Sequence, residues 1–142
     1  DGGRGARRRS DPAVLAAVAI GGALGAAARY GVAQLVPVGA GSFPWATWWT
    51  NVTGSFALGV VLMVLLGRFP SDRLARPLLA TGFLGAFTTY STFAVQTVVL
   101  AGDGSGALAG LYVVASLAAG FGAAAAGIAA GRRLAPPAPG RR

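Results

Sequence analysis

An all-α membrane fold with four transmembrane helices is what this sequence of 142 residues predicts, on three observations. Apolar residues make up 54% and charged residues 11% of the chain, where a soluble domain carries about 25% charged residues. The charges are twelve arginines and four aspartates, and they crowd into short stretches. Between them lie charge-free runs at 12–28, 30–67, 77–102 and 104–131. A helix rising about 1.5 Å per residue crosses a hydrocarbon core of about 30 Å with about 20 apolar residues, so each run holds one span. The first run reaches that length when Arg29 lies near its far end.

The first helix is predicted over 13–36, ended by Pro37 and the glycines of 39–41, after a basic N-terminal tail at 1–12. Gly21 and Gly25, four residues apart, place two bare backbone patches on one helix face and permit a close neighbour. Arg4, Arg7, Arg8 and Arg9 ahead of an apolar run and Ala26-Ala27-Ala28 imitate a secretory signal. The run has no polar spacer before Ala26, and apolar character resumes after Tyr30, so an intact N-terminus is expected. The second helix is predicted over 44–67 and opens on Trp45, Trp48 and Trp49, rings that favour the headgroup level and are read as interface anchors.

The third helix is predicted over 77–101 and is expected to be broken near 82–89. There, glycines and hydroxyl residues stand where a bilayer centre favours Leu and Val, and glycine weakens a helix by about 1 kcal/mol relative to alanine. Irregular backbone at membrane depth is tolerated only where it is buried in protein or lines a cavity. A fourth helix over 107–131 follows, and the proline-rich segment 132–142 reads as a disordered basic tail.

With four spans, the N-terminus, the 68–76 loop and the C-terminus share one side and carry four, three and four arginines; the opposite loops carry none. That asymmetry predicts cytoplasmic termini in a cell inner (plasma) membrane. It also explains the net charge of +8 without nucleic acid, since the arginines sit at span ends with no aromatic interleaving. Cysteine, histidine and glutamate are absent. Thiolate metal sites, disulfides and the usual general bases are therefore excluded, and all four aspartates lie outside the apolar runs, which argues against an enzyme.

Neutral hydrogen-bonding groups remain. Thr47, Asn51 and Ser55 recur at i, i+4, i+8 on the second helix; Tyr112, Ser116 and Gly120 repeat the pattern on the fourth; Tyr90 and Phe93 lie at i, i+3 on the third. An amide at mid-membrane depth is costly when unpaired, so Asn51 either cements helices or faces a wet path. Lone hydroxyls mostly bond back to their own helix, but three such stripes are also what a lined path would present.

Three blocks then carry a resemblance over the whole four-helix region. They are Gly21-Gly22-Ala23-Leu24-Gly25-Ala26-Ala27-Ala28-Arg29-Tyr30, then Thr50-Asn51-Val52-Thr53-Gly54-Ser55-Phe56, and Gly82-Phe83-Leu84-Gly85-Ala86-Phe87-Thr88-Thr89-Tyr90-Ser91-Thr92-Phe93. In order and spacing they resemble the signature blocks of the Fluc/CrcB family of fluoride channels. The resemblance implies an antiparallel dimer with two pores at its interface, passive export of fluoride, and a structural sodium ion (Na+) held by the backbone carbonyls of Gly85 and Thr88. It maps the pore aromatic pair onto Tyr90 and Phe93, the pore asparagine onto Asn51, and the helix-four polar track onto Tyr112 and Ser116. Thr47 and Thr89 join the path, and Arg29 either draws anions into a vestibule or snorkels.

Ring edges carry partial positive charge, and amide and hydroxyl groups donate hydrogen bonds, so such a path could replace the water around a small anion. This chain departs from the family in carrying Tyr90 where phenylalanine is common. Its arginine asymmetry also opposes insertion in both orientations, so a heterodimer with an inverted homologue is expected rather than a homodimer. Two other readings compete. A small multidrug-type exporter needs a membrane-embedded glutamate, which is missing; a non-transporting assembly subunit would use the same stripes for packing alone.

Overall fold

The computed structural model describes residues 11–135, and their regular secondary structure is all helical. Four helical segments are long and apolar enough to cross a membrane: Pro12–Leu35, Trp45–Arg68, Arg76–Gly102 and Gly106–Leu134. Helix α1 (Pro12–Leu35) starts on a proline, whose missing N–H costs nothing at a first turn. Asp11 caps it by accepting the Ala13 N–H at 2.9 Å. Helix α2 (Trp45–Arg68) follows Pro44 and ends beside Phe69.

The third segment is composite. A π-helical stretch, Arg76–Leu84, runs into the single turn α3 (Gly85–Phe87). The backbone then extends at two residues, Thr88 (ψ 157°) and Thr89 (φ −147°, ψ 120°), before α4 (Tyr90–Gly102) begins. Thr89 caps α4, its hydroxyl oxygen accepting the Thr92 N–H at 3.2 Å. Gly104, with φ 80°, turns the chain into α5 (Gly106–Leu134).

Helix α5 runs three residues beyond the sequence expectation and includes Arg132 and Arg133, which the sequence places in the disordered tail. Basic side chains suit a helix C-terminus, where exposed carbonyls carry partial negative charge, so they extend this helix rather than end it. The remainder of that tail, and the N-terminal segment 1–10, lie outside the described residues.

The bundle is built from two close pairs. Helix α2 packs mainly on α5 and α1 mainly on the π-helical stretch, whereas α1 and α2 hardly meet. Glycine makes both contacts possible. A Cβ on Gly21 would overlap the Leu78 carbonyl oxygen, and one on Gly25 the Phe83 carbonyl oxygen. From the other side, a Cβ on Gly82 would stand 2.7 Å from the Val18 carbonyl oxygen. Across the second pair, Gly59 faces the Ala124 carbonyl oxygen at 2.7 Å in the same sense, and Gly127 lies against Phe56. Backbones this close gain dispersion and Cα–H···O contacts, the main sources of helix association where lipid removes the hydrophobic drive.

The small core lies where α4 meets α5. Leu100, Ala109 and Tyr112 are buried there, with Phe43, Trp48, Phe93 and Leu108 packed around them. Trp45 and Trp49 are half exposed, as interface anchors should be. Trp48 differs from that expectation. It packs edge-on against Phe43, and its buried Nε1 has no partner among the described residues.

Candidate functional site

The extended residues Thr88 and Thr89 sit between two clefts. The larger, about 400 Å³, lies along α2, α4 and α5 and is lined by Asn51, Ser55, Tyr90, Phe93, Ser116 and Phe121 among others. The smaller, about 290 Å³, opens on the α1 side and is lined by Arg29, Tyr30, Thr47, Thr50, Thr89 and Thr92 with alanines between them. Thr89 forms part of both walls.

Asn51 fixes that shared wall. Its Nδ2 donates to the Thr89 carbonyl at 3.0 Å, and its Oδ1 accepts the Thr89 N–H at 2.8 Å. One side chain thus satisfies both backbone groups of an extended residue. Of the alternatives open for Asn51 in the sequence, the structure shows the joining of two spans, and the same residue lines the larger cleft.

The same bonds take from two carbonyls the donors that a continuous helix would give them. In a continuous helix the Thr89 N–H would close on the Gly85 carbonyl, but it goes to Asn51. Likewise the Thr92 N–H that would close on the Thr88 carbonyl goes to the Thr89 hydroxyl. Backbone carbonyl oxygens released from a helix are ligands of the kind a hard cation takes, without carboxylates. Among the described residues no group of three or more His, Cys, Asp or Glu could hold a metal.

Most hydroxyls near the clefts are spent on their own helix. Thr50 donates to the Ala46 carbonyl at 2.7 Å and Thr88 to the Leu84 carbonyl at 2.9 Å. Ser116 is not, since its buried Oγ has no partner among the described residues. On this wall a free donor and acceptor therefore stand beside Asn51 and the Phe93 ring.

The predicted residues are not all brought together. Thr47 turns toward the smaller cleft while Asn51 and Ser55 line the larger one, so the α2 stripe divides between them. Tyr112 lines neither cleft. It is fully buried, its ring between Phe43 at 5.2 Å and Phe93 at 5.1 Å, with its hydroxyl donating to Gln96 Oε1 at 3.1 Å. The Thr47 side chain stands beside that hydroxyl. Tyr90, 6.0 Å from Phe93 between ring centroids, is 81% exposed at the rim of the larger cleft.

Sequence reasoning missed Gln96. The available signal was an uncharged amide alone in an apolar run, three residues after Phe93. Tyr112→Phe keeps the ring and strands the Gln96 oxygen, so a stability loss of about 1–2 kcal/mol is expected. Thermal melting of the detergent-solubilised variant checks it; an unchanged midpoint would show that the bond contributes nothing.

Fold and clefts together define a small multi-pass membrane protein with a neutral, hydroxyl- and aromatic-lined cavity beside an interrupted span. Residues 16–128 match the family model described as CrcB-like protein, Camphor Resistance (CrcB). The chain belongs to the CrcB family. It is 46% identical over 126 residues, 89% of its length, to Fluoride-specific ion channel FluC 3 of Streptomyces avermitilis, and spans 62% of that relative. It is 48% identical to FluC 2 of the same organism over 79% of this chain and 73% of the relative. Fluoride-specific ion channel FluC 2 of Nocardia farcinica is 41% identical over 87% of this chain and 93% of its own length.

Proposed function

We propose that this chain is one subunit of a fluoride-selective channel that lowers cytoplasmic fluoride by passive export. The observation that carries the reading is the larger cleft: an amide, two serine hydroxyls and three aromatic rings, with no carboxylate or cation on its wall. Neutral donors and ring edges replace water around a small anion in several weak steps, which favours conduction over capture. Coupled proton exchange would require a membrane-embedded acid, and every aspartate of the chain lies outside the four spans. The ion comes from the relatives, which are named fluoride-specific channels.

The pore is completed by a second, antiparallel subunit. Supporting this, Tyr90 and Phe121 stand 81% and 75% exposed on the open side of the cleft. Fluoride would pass Asn51, Ser116, Tyr90 and Phe93, with Tyr112 and Thr47 behind that wall and Thr89 shaping it. Arg29 serves as the vestibule cation in the smaller cleft, where threonine hydroxyls surround it. Gly85 and Thr88 carbonyls hold a structural, untransported sodium ion at the subunit junction. The arginine asymmetry puts both termini in the cytoplasm and makes an inverted homologue the partner.

The test is fluoride efflux from liposomes containing the purified chain, with chloride efflux as control. Fluoride release without chloride release, from the chain alone or after adding an inverted homologue, is the expected result. Absence of release in both cases would overturn the channel reading in favour of an assembly subunit.

A further inference from the structure

Four arginines gather at one end of the bundle. Helix α2 ends on Arg68, the third span begins at Arg76, and α5 closes with Arg132 and Arg133 in its last turn. Alternating spans bring these ends to the same side, and the ends of α2 and α5 touch: a Cβ on Gly67 would lie 2.9 Å from Ala135. All four arginines are exposed.

Nearby acids do not neutralise them. Asp11 pairs with Arg73 at 2.8 Å while capping α1. Asp72 accepts the N–H groups of Leu74 and Ala75 at 2.9 and 3.0 Å. Those bonds hold its carboxyl below the usual carboxylate range. Among the described residues the only salt bridge is Asp11–Arg73, so Arg68, Arg76, Arg132 and Arg133 carry their charge without an acidic partner.

Placement identifies what does pair with them. Each arginine stands at the end of an apolar span, the level at which a bilayer presents its phosphates. Exposed Leu66 and Phe69 flank Arg68 in the chain, and exposed Leu134 follows Arg133. A ligand fitting this surface carries negative charge at its head and an apolar chain below it. We infer that this end of the bundle binds anionic phospholipids, their phosphodiesters held by paired N–H···O bonds from Arg68, Arg132 and Arg133, with Arg76 adding charge.

This inference goes beyond the channel reading, and its test needs no ion flux. The full chain is melted in neutral-detergent micelles doped with phosphatidylglycerol, phosphatidylcholine or inorganic phosphate. Phosphatidylglycerol is expected to raise the midpoint by about 4 °C over phosphatidylcholine, and the difference should fade near 0.5 M salt, where charges are screened within about 4 Å. The combined Arg68→Gln, Arg132→Gln and Arg133→Gln variant should lose the difference. Equal stabilisation by both lipids, the same rise with inorganic phosphate, or a lipid preference that survives the triple variant would each overturn the proposal. If the triple variant does not fold, Arg133→Gln alone decides, by narrowing the difference or leaving it intact.

Discussion

Gly25→Ala should separate α1 from the third span and cost about 3 kcal/mol or more, while Gly22→Ala, three residues earlier on the same helix, should cost nothing. The two glycines share a helix and a composition and differ only in what they face. A methyl at Gly25 would enter the Phe83 carbonyl, a backbone atom that cannot rotate away. A methyl at Gly22 meets no atom within 4 Å. Overpacking usually costs about 1–3 kcal/mol where side chains can adjust, and more where only whole helices can move. At an open helical position the same change gains up to about 1 kcal/mol through helix propensity. Melting midpoints of the two variants check the pair; similar values would mean that the α1 seam is looser than the glycine contacts imply.

Asn51→Ala should be the most damaging change of a single polar group. It would leave both the N–H and the carbonyl of Thr89 unpaired, at about 1–3 kcal/mol for each stranded group. The wall shared by the two clefts would lose its anchor, and fluoride efflux should fall to background. Asn51→Asp distinguishes geometry from volume. A carboxylate still accepts the Thr89 N–H but opposes the Thr89 carbonyl with negative charge, so it too should fail, and fail least at low pH where protonation restores a donor. An Asn51→Ala protein with normal melting and normal efflux would remove Asn51 from both roles.

The four spans were legible because the bilayer imposes its thickness on the chain: arginines and aspartates bracket runs of the required length. The glycine seam was legible too, since Gly21 and Gly25 have no reason to recur on one face except contact. What the sequence did not reveal was where side chains turn. Nothing in the weak stretch 82–89 singles out residues 88 and 89. The choice is made by Asn51, whose amide reaches Thr89 from 38 positions away. Trp48 reads like Trp45 and Trp49, yet Phe43 and the space beside Tyr112 draw it inward. Gln96 went unnoticed because its partner, Tyr112, lies on another helix. The end of α5 was misplaced since arginine marks the edge of the lipid and also prolongs a helix.

The bond between Asn51 and Thr89 also has a schedule. A ribosome working at 5–20 residues per second needs roughly 2–8 s to add the 38 residues that separate them. During that interval the second span has been made and the acceptor for its amide has not. A bare amide is poorly placed in hydrocarbon, so this span is best retained beside the insertion machinery, or in the wet headgroup zone, until the third arrives. Spans two and three are therefore expected to enter the bilayer as a pair, and the slowest codons that matter for this protein are those between Asn51 and Thr89.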